Sequence, residues 1–96
     1  MSVSVATIIR DQIRAIDRMA MMAWGAKDLV DMGDGLKFKT SGMTPWKGYV
    51  YIRLDVANDL YNIDFFRIRK AEVIYDKQLE GVFVDQLVNE IDNYVG

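Results

Sequence analysis

The sequence contains no cysteine and no histidine among its 96 residues. This absence excludes disulfides, thiolate nucleophiles, zinc sites built from Cys and His, haem ligation by histidine and imidazole general bases. An enzyme built from this chain would have to use carboxylates, hydroxyls, lysines or tyrosines. No pair of acidic residues has the spacing of a recognisable hydrolytic dyad, and a chain this short has little material for the deep cleft that such a pair needs. We therefore predict that the protein is not an enzyme and carries no cofactor.

Long apolar runs are also missing. The longest uncharged apolar stretch, Met19–Ala26, is far shorter than the roughly 20 residues that a membrane span requires. The first residues carry no basic leader, and Arg10 and Asp11 soon end their apolar stretch, so we expect no signal peptide. Together with the absence of cysteine, these features predict a cytoplasmic protein without a membrane partner.

Helical periodicity is present at both ends of the chain. After Ser4, which carries the hydroxyl of a typical N-cap, apolar residues recur every three or four positions from Val5 to Ala20. The pattern leaves open whether this first helix ends before or after Met19–Met22. The same period returns from about Gly81 and predicts a C-terminal helix.

The middle of the chain alternates between apolar and polar residues, which is typical of strands. Strands are predicted around residues 36–40, 49–55, 63–68 and 71–76, with a bulge near Phe65, and residues 25–35 are predicted to form a connection. The order of helix, about four antiparallel strands and helix predicts one α+β domain over residues 1–96. Its helices are expected to cover one face of the sheet.

Five sequence blocks carry a resemblance to a known group of proteins. They are Met21–Lys27 followed by Leu29 and Val30, Gly35–Lys39, Tyr49–Leu54, Asp59–Phe65 and Glu80–Leu87. In order and spacing they resemble a family of small uncharacterised proteins encoded by bacteriophages and integrated mobile elements. The family usually has Met-Thr-Gly-Ala-Lys where this chain has Ala23-Trp24-Gly25-Ala26-Lys27, so Trp24 departs from its pattern. The resemblance implies a phage or mobile-element context in the cytoplasm of a bacterial host, but no activity.

Methionines and aromatic residues are plentiful, with six Met, two Trp, five Tyr and four Phe. A domain this small buries a limited share of its surface, so we expect some of these side chains to meet another molecule. Met21, Met22, Trp24 and Trp46 are the predicted partner-binding residues, with core packing as the alternative. The leading hypothesis is a non-enzymatic accessory protein that forms a homo-oligomer and binds a host or phage protein, such as a component of host defence.

An aromatic and basic surface supports a second hypothesis. Lys37 and Lys39 share one face of a predicted strand, and Tyr49, Tyr51 and Arg53 share one face of the next. If the two strands pair, these side chains form the kind of surface on which single-stranded bases stack. The net charge of −2 and the pI near 4.9 disfavour nucleic-acid binding. Nucleic acid therefore ranks behind a protein partner, and solubility or packing is the simpler role for these residues.

Two weaker patterns lie in the predicted connection. Gly25 and Lys27 resemble a small anion site. They support the third hypothesis, that the protein is a small anionic-ligand-binding protein or enzyme. A turn glycine next to a solvated lysine is the simpler interpretation. Asp28, Asp31 and Asp34 lie near two glycines, but their spacing is not that of a calcium-binding EF-hand loop. An ordinary acidic turn is favoured there, and no metal site is predicted.

Overall fold

The computed structural model describes residues 3–41 and 44–96 and contains three α-helices and five strands in this range. The elements are α1 (Val5–Ile16), α2 (Ala20–Ala23), β1 (Ala26–Asp31), β2 (Gly35–Thr40), β3 (Tyr49–Asp55), β4 (Leu60–Arg69), β5 (Glu72–Val82), a 3-10 turn (Val84–Gln86) and α3 (Leu87–Val95). The strands form one antiparallel sheet in the order β1-β2-β3-β4-β5. The predicted α+β architecture is confirmed, with five strands in place of about four.

The first helix ends before the methionine-rich segment. The Ser4 hydroxyl accepts a hydrogen bond from the Thr7 N–H at 3.2 Å and caps the start of α1. At the other end, Asp17 has an extended backbone, and its carboxylate accepts from the Met19 N–H at 2.9 Å. This bond turns the chain into the separate short helix α2, which settles the question that the periodicity left open.

Strand β1 occupies the segment predicted to be a connection. Lys27 pairs with Lys39 and Val30 pairs with Lys37, so one more residue separates the pairs in β1 than in β2. Asp28, in this bulge, has a left-handed backbone with φ 53°. The bulge breaks the alternation of apolar and polar residues, and this is why the sequence pattern did not indicate a strand.

The core lies between one face of the sheet and the helices. It consists of buried apolar side chains, which are Ala6, Ile9, Ile13, Ala20, Trp24, Leu36, Phe38, Val50, Ile52, Tyr61, Ile63, Phe65, Val82, Leu87, Val88, Ile91 and Val95. Trp24 is only 1% exposed, stacks on Phe38 with ring centroids 6.0 Å apart, and donates from Nε1 to Asp92 Oδ1 at 3.1 Å. Trp24 is therefore not available to a partner in the folded chain. The prediction that places it at an interface is wrong because the core has room for its ring.

Strands β4 and β5 form the longest hairpin. Phe65 pairs with Lys77 while Phe66 pairs with Tyr75, so Asp76 is an extra residue of β5. The bulge predicted near Phe65 is confirmed, with its extra residue in the neighbouring strand. Because the pairing of β3 with β4 ends at Phe66, residues 67–74 project beyond β3 as a two-stranded ribbon.

The C-terminal helix begins later than its periodicity indicates. Strand β5 continues to Val82, and α3 begins only at Leu87. Phe83, which the helical pattern places on the buried stripe, is 57% exposed, whereas Leu87 and Ile91 are fully buried. In the described residues no helix is long and apolar enough to cross a membrane.

Candidate functional site

The sheet has one covered face and one uncovered face. Helices α1 and α3 contribute to the same core as Phe38, Ile52 and Phe65. Because side chains alternate along a strand, the neighbours of these residues point to the other side. No helix of the described part of the chain packs on that side, and we call it the open face.

The open face carries a row of side chains that runs across all five strands. Lys27 pairs with Lys39, Lys39 with Tyr49, Tyr49 with Phe66, and Phe66 with Tyr75. These five residues, here called the cross-sheet row, are two lysines followed by three aromatic residues. With strands about 4.8 Å apart, the row is about 19 Å long.

The aromatic part of the row consists of rings in contact with one another. The centroids of Tyr49 and Phe66 are 5.3 Å apart and their planes differ by 13°. Phe66 and Tyr75 follow at 5.9 Å with planes 53° apart. Phe66 is buried beneath its neighbours, Tyr49 is half-buried, and Tyr75 is 57% exposed. The row therefore presents Tyr49 and Tyr75 to a ligand and uses Phe66 as their support.

The two lysines of the row and the neighbouring Lys37 form a basic cluster that makes no ion pair within the described part of the chain. The Nζ atoms of Lys37 and Lys39 each lie 5.8 Å from the centroid of the Tyr49 ring. Lys27 lies directly opposite Lys39, and like charges in such a pair destabilise a sheet. The ion pairs in the described part of the chain join Arg53 to Asp64 and Arg67 to Asp76 and include none of these lysines. Two ammonium groups thus lie beside the Tyr49 ring, and Lys27 adds a third positive charge opposite Lys39.

Tyr51 and Arg53 belong to a polar network beside the row. The Tyr51 hydroxyl donates to Asp34, and Arg53 Nη2 lies 3.2 Å from Asp64 Oδ2. Asp64 is buried, and its Oδ1 atom also accepts a hydrogen bond from Gln78 Nε2 at 3.2 Å. Burial, followed by the hydrogen bond to Asp34, raises the pKa of Tyr51 to about 12. The network joins two carboxylates to one guanidinium, so it keeps one net negative charge beside the lysines.

Most of the predicted aromatic and basic surface is brought together. Strands β2 and β3 pair as the hypothesis required, with Lys37 opposite Tyr51 and Lys39 opposite Tyr49. Sequence reasoning missed Phe66 and Tyr75, which complete the aromatic row. The signal for Phe66 was present, because apolar residues occupy both alternating positions between residues 63 and 68. The same pattern that predicts the bulge therefore also places Phe66 on the face opposite Phe65.

The other predicted partner-binding residues are scattered. Trp46 packs edge-on against Phe65 at 5.8 Å and donates from Nε1 to Asp76 Oδ2 at 2.9 Å, so its half-buried ring covers one end of the core. Met21 packs against the core, while Met22 is 72% exposed. These side chains do not form one continuous surface with Trp24.

The two residues of the predicted anion site, Gly25 and Lys27, do not form a common site in the structure. The Gly25 N–H donates to the Met22 carbonyl at 3.0 Å and is not available to an anion. Lys27 instead belongs to the cross-sheet row. Within residues 3–41 and 44–96, no group of three or more acidic side chains is placed to hold a metal ion, and Asp28, Asp31 and Asp34 form no such group.

Comparisons with protein-family models, curated protein sequences and solved structures found no match to this chain. The resemblance to phage-encoded proteins therefore stays a prediction.

Proposed function

We propose that the protein binds single-stranded nucleic acid on the open face of its sheet. The observation that carries this proposal is the cross-sheet row, in which two paired lysines lead directly into three aromatic residues. Aromatic rings on a sheet are stacking platforms for bases, and adjacent ammonium groups bind the phosphates between those bases. The row offers both functions over about 19 Å, the width of the sheet.

The distribution of charge supports the same surface. The net charge of −2 disfavours nucleic-acid binding least where acidic groups lie away from the site. Glu90 and Asp92 belong to α3, which packs on the covered face, while Lys27, Lys37 and Lys39 belong to the open face. The lysines therefore lie on the opposite side of the sheet from these two acidic groups, while Asp34 and Asp64 beside the row are engaged by Tyr51 and Arg53.

The geometry favours unpaired bases over a duplex and predicts little sequence preference. A ring that lies in a sheet surface, such as Tyr49, can be stacked only by a base whose face is free. The polar groups beside the row do not compete for base edges, because Tyr51 donates to Asp34 and Arg53 pairs with Asp64. Binding through stacking and phosphate contacts depends on salt more than on sequence.

Fluorescence anisotropy with a labelled mixed-sequence 12-nucleotide strand tests the proposal. The key variant is Tyr75→Ala, because this ring is exposed and its loss leaves the core intact. Removal of one stacking ring is expected to lower affinity about tenfold or more. Phe83→Ala is the matched control, since Phe83 is equally exposed at 57% but lies outside the row.

Two outcomes would contradict the proposal. One is the absence of any anisotropy change at low salt, where phosphate contacts are strongest. The other is binding that Tyr75→Ala and Phe83→Ala reduce to the same extent, since the aromatic row would then have no special role. Weaker binding to a duplex of the same sequence is the expected companion result.

Self-association and binding of a host or phage protein form a second proposal. It is supported by Met22 and Met19, which are 72% and 58% exposed at the corner around α2. Exposed methionines make adaptable contact surfaces. Light scattering on the purified protein tests self-association, and Met22→Glu is expected to dissociate an oligomer that uses this corner. A protein that stays monomeric at all concentrations tested would contradict the proposed self-association.

A further inference from the structure

A shallow depression lies beside the middle of the cross-sheet row, next to Lys39 and Tyr49. It has a volume of about 430 Å³ and is formed where β2 ends, β3 begins and the ribbon of residues 67–74 projects. Its lining residues are Lys39, Lys47, Gly48, Tyr49, Arg67 and Ile68. Three of them are cationic and Tyr49 belongs to the row, so the depression continues the proposed binding surface.

Hydrogen bonds across the base of a loop bring two of the lysines together. The Thr40 N–H donates to the Gly48 carbonyl at 2.8 Å, and the Gly48 N–H donates to Thr40 Oγ1 at 3.0 Å. A side chain at position 48 would place a Cβ 2.7 Å from the Phe66 carbonyl oxygen, so only glycine permits this close approach. Lys39 and Lys47, which precede Thr40 and Gly48, are consequently held on the same depression.

The charges of the depression match a phosphate dianion. Arg67 is already paired with Asp76, through Nε to Oδ2 at 2.6 Å and Nη2 to Oδ1 at 3.0 Å. The ammonium groups of Lys39 and Lys47 remain uncompensated among the ion pairs of the described residues. An internal phosphodiester carries one negative charge, whereas a terminal phosphate monoester carries about −1.5 to −2 near pH 7. Two ammonium groups balance the terminal group.

We infer that this depression binds the phosphorylated end of a nucleic-acid strand. The inference rests on the proposed function and names the part of the ligand that the depression recognises. Tyr49 stacks the terminal base, Ile68 contacts the sugar or base from the ribbon, and Lys39 and Lys47 hold the monoester. The strand then continues across the aromatic row toward Tyr75.

The test compares three versions of one internally labelled 12-nucleotide strand, with a 5′-phosphate, a 3′-phosphate or hydroxyls at both ends. One phosphorylated version is expected to bind the parent protein about tenfold more tightly than the hydroxyl version. Lys47→Gln is expected to abolish this difference. Lys77→Gln, an exposed lysine paired with Phe65 toward the covered face, is expected to preserve it.

The pH dependence gives an independent readout. The second pKa of a phosphate monoester is about 6, so its advantage should shrink as the pH is lowered from about 7.5 to about 5.5. The groups that face it are Lys39, Lys47, Tyr49 and Arg67 with its partner Asp76. Arg67 lowers the pKa of Asp76, and the chain contains no histidine, so the protein contributes little titration in this range. Affinity for the hydroxyl version should stay nearly constant.

The outcomes separate the inference from the proposed function. Equal affinity for all three strands overturns the terminal-phosphate site while leaving single-strand binding in place. A phosphate advantage that persists in Lys47→Gln also overturns it, because the charge would then come from elsewhere. If none of the three strands binds, both the inference and the proposed function are wrong.

Discussion

Lys27 and Lys39 lie directly opposite each other across β1 and β2, with both side chains on the open face. Lys39 is also 5.8 Å from the ring of Tyr49, so the like-charge pair stands at the edge of the aromatic row. A pair of this kind costs stability in the free protein and is favourable once an anion is bound. The site therefore predicts opposite effects of one substitution on stability and on binding.

Lys27→Gln is expected to stabilise the free protein by about 0.2–1 kcal/mol, because it removes the repulsion from Lys39. The same change is expected to weaken binding of single-stranded DNA and to reduce the steepness of its salt dependence by about 0.7, the loss of one phosphate contact. Urea unfolding and anisotropy at several salt concentrations measure the two effects. Arg14→Gln, on the exposed side of α1, is the control because it makes the same change in net charge. If Arg14→Gln weakens binding as much as Lys27→Gln does, Lys27 makes no local contact with the bound strand.

Trp24→Ala is expected to lower the free energy of unfolding by about 3–5 kcal/mol, the usual range for removing a large buried aromatic ring. The variant loses the stack on Phe38 and leaves Asp92 Oδ1 without its indole donor. Met22→Ala, at a residue 72% exposed, is expected to change stability by less than about 0.5 kcal/mol. Urea unfolding followed by circular dichroism measures both, and similar small effects would mean that Trp24 is not in the core.

Tyr51 is expected to make stability depend on pH in the alkaline range. Burial and the hydrogen bond to Asp34 raise its pKa from 10.0 to about 12, so the folded state favours the neutral phenol. The resulting stabilisation is complete below pH 10.0 and is lost as the pH rises toward about 12. Tyr51→Phe should reduce the change in unfolding free energy between pH 10.0 and about 12. Because burial also raises the pKa of Tyr61, the parent and the variant must be compared directly.

The tip of the β4–β5 ribbon offers a stabilising substitution. Lys70 and Ala71 have φ values of 51° and 65°, which is the left-handed conformation of a two-residue type I′ turn. Replacing them by Asn and Gly, the residues that this turn prefers, is expected to raise the free energy of unfolding by about 1 kcal/mol. Thermal unfolding measures the change. An unchanged or lower melting temperature would contradict the turn geometry, and oligonucleotide affinity serves as a check that the open face is intact.

The predictability of each element follows from how local its pattern is. Strand β3 could be predicted because Val50 and Ile52 alternate with polar neighbours, and α1 because Ile9 and Ile13 recur with the helical period. Strand β1 has no such pattern, since the bulge at Asp28 shifts the faces of its side chains. It is a strand because β2 provides hydrogen-bonding partners for its backbone, and the apolar and polar pattern of β1 alone does not indicate this pairing.

The candidate site was predicted in part for the same reason. Alternation alone placed Lys37 and Lys39 on one face of their strand and Tyr49 and Tyr51 on one face of the next strand, and the pairing of the two strands made these faces one surface. The burial of Trp24 was not predictable, because it depends on Phe38 and Asp92, which are 14 and 68 positions away along the chain.

The amino-acid sequence alone excluded histidine and cysteine chemistry and determined which side chains share a face within each strand, because these properties depend on composition and on backbone geometry between neighbours. Folding determined that Lys27, Lys39, Tyr49, Phe66 and Tyr75 form one row across the sheet. Such a row depends on the register of four strand pairs. Register is set by turns, bulges and the packing of the helices on the covered face, which act between residues distant in the chain.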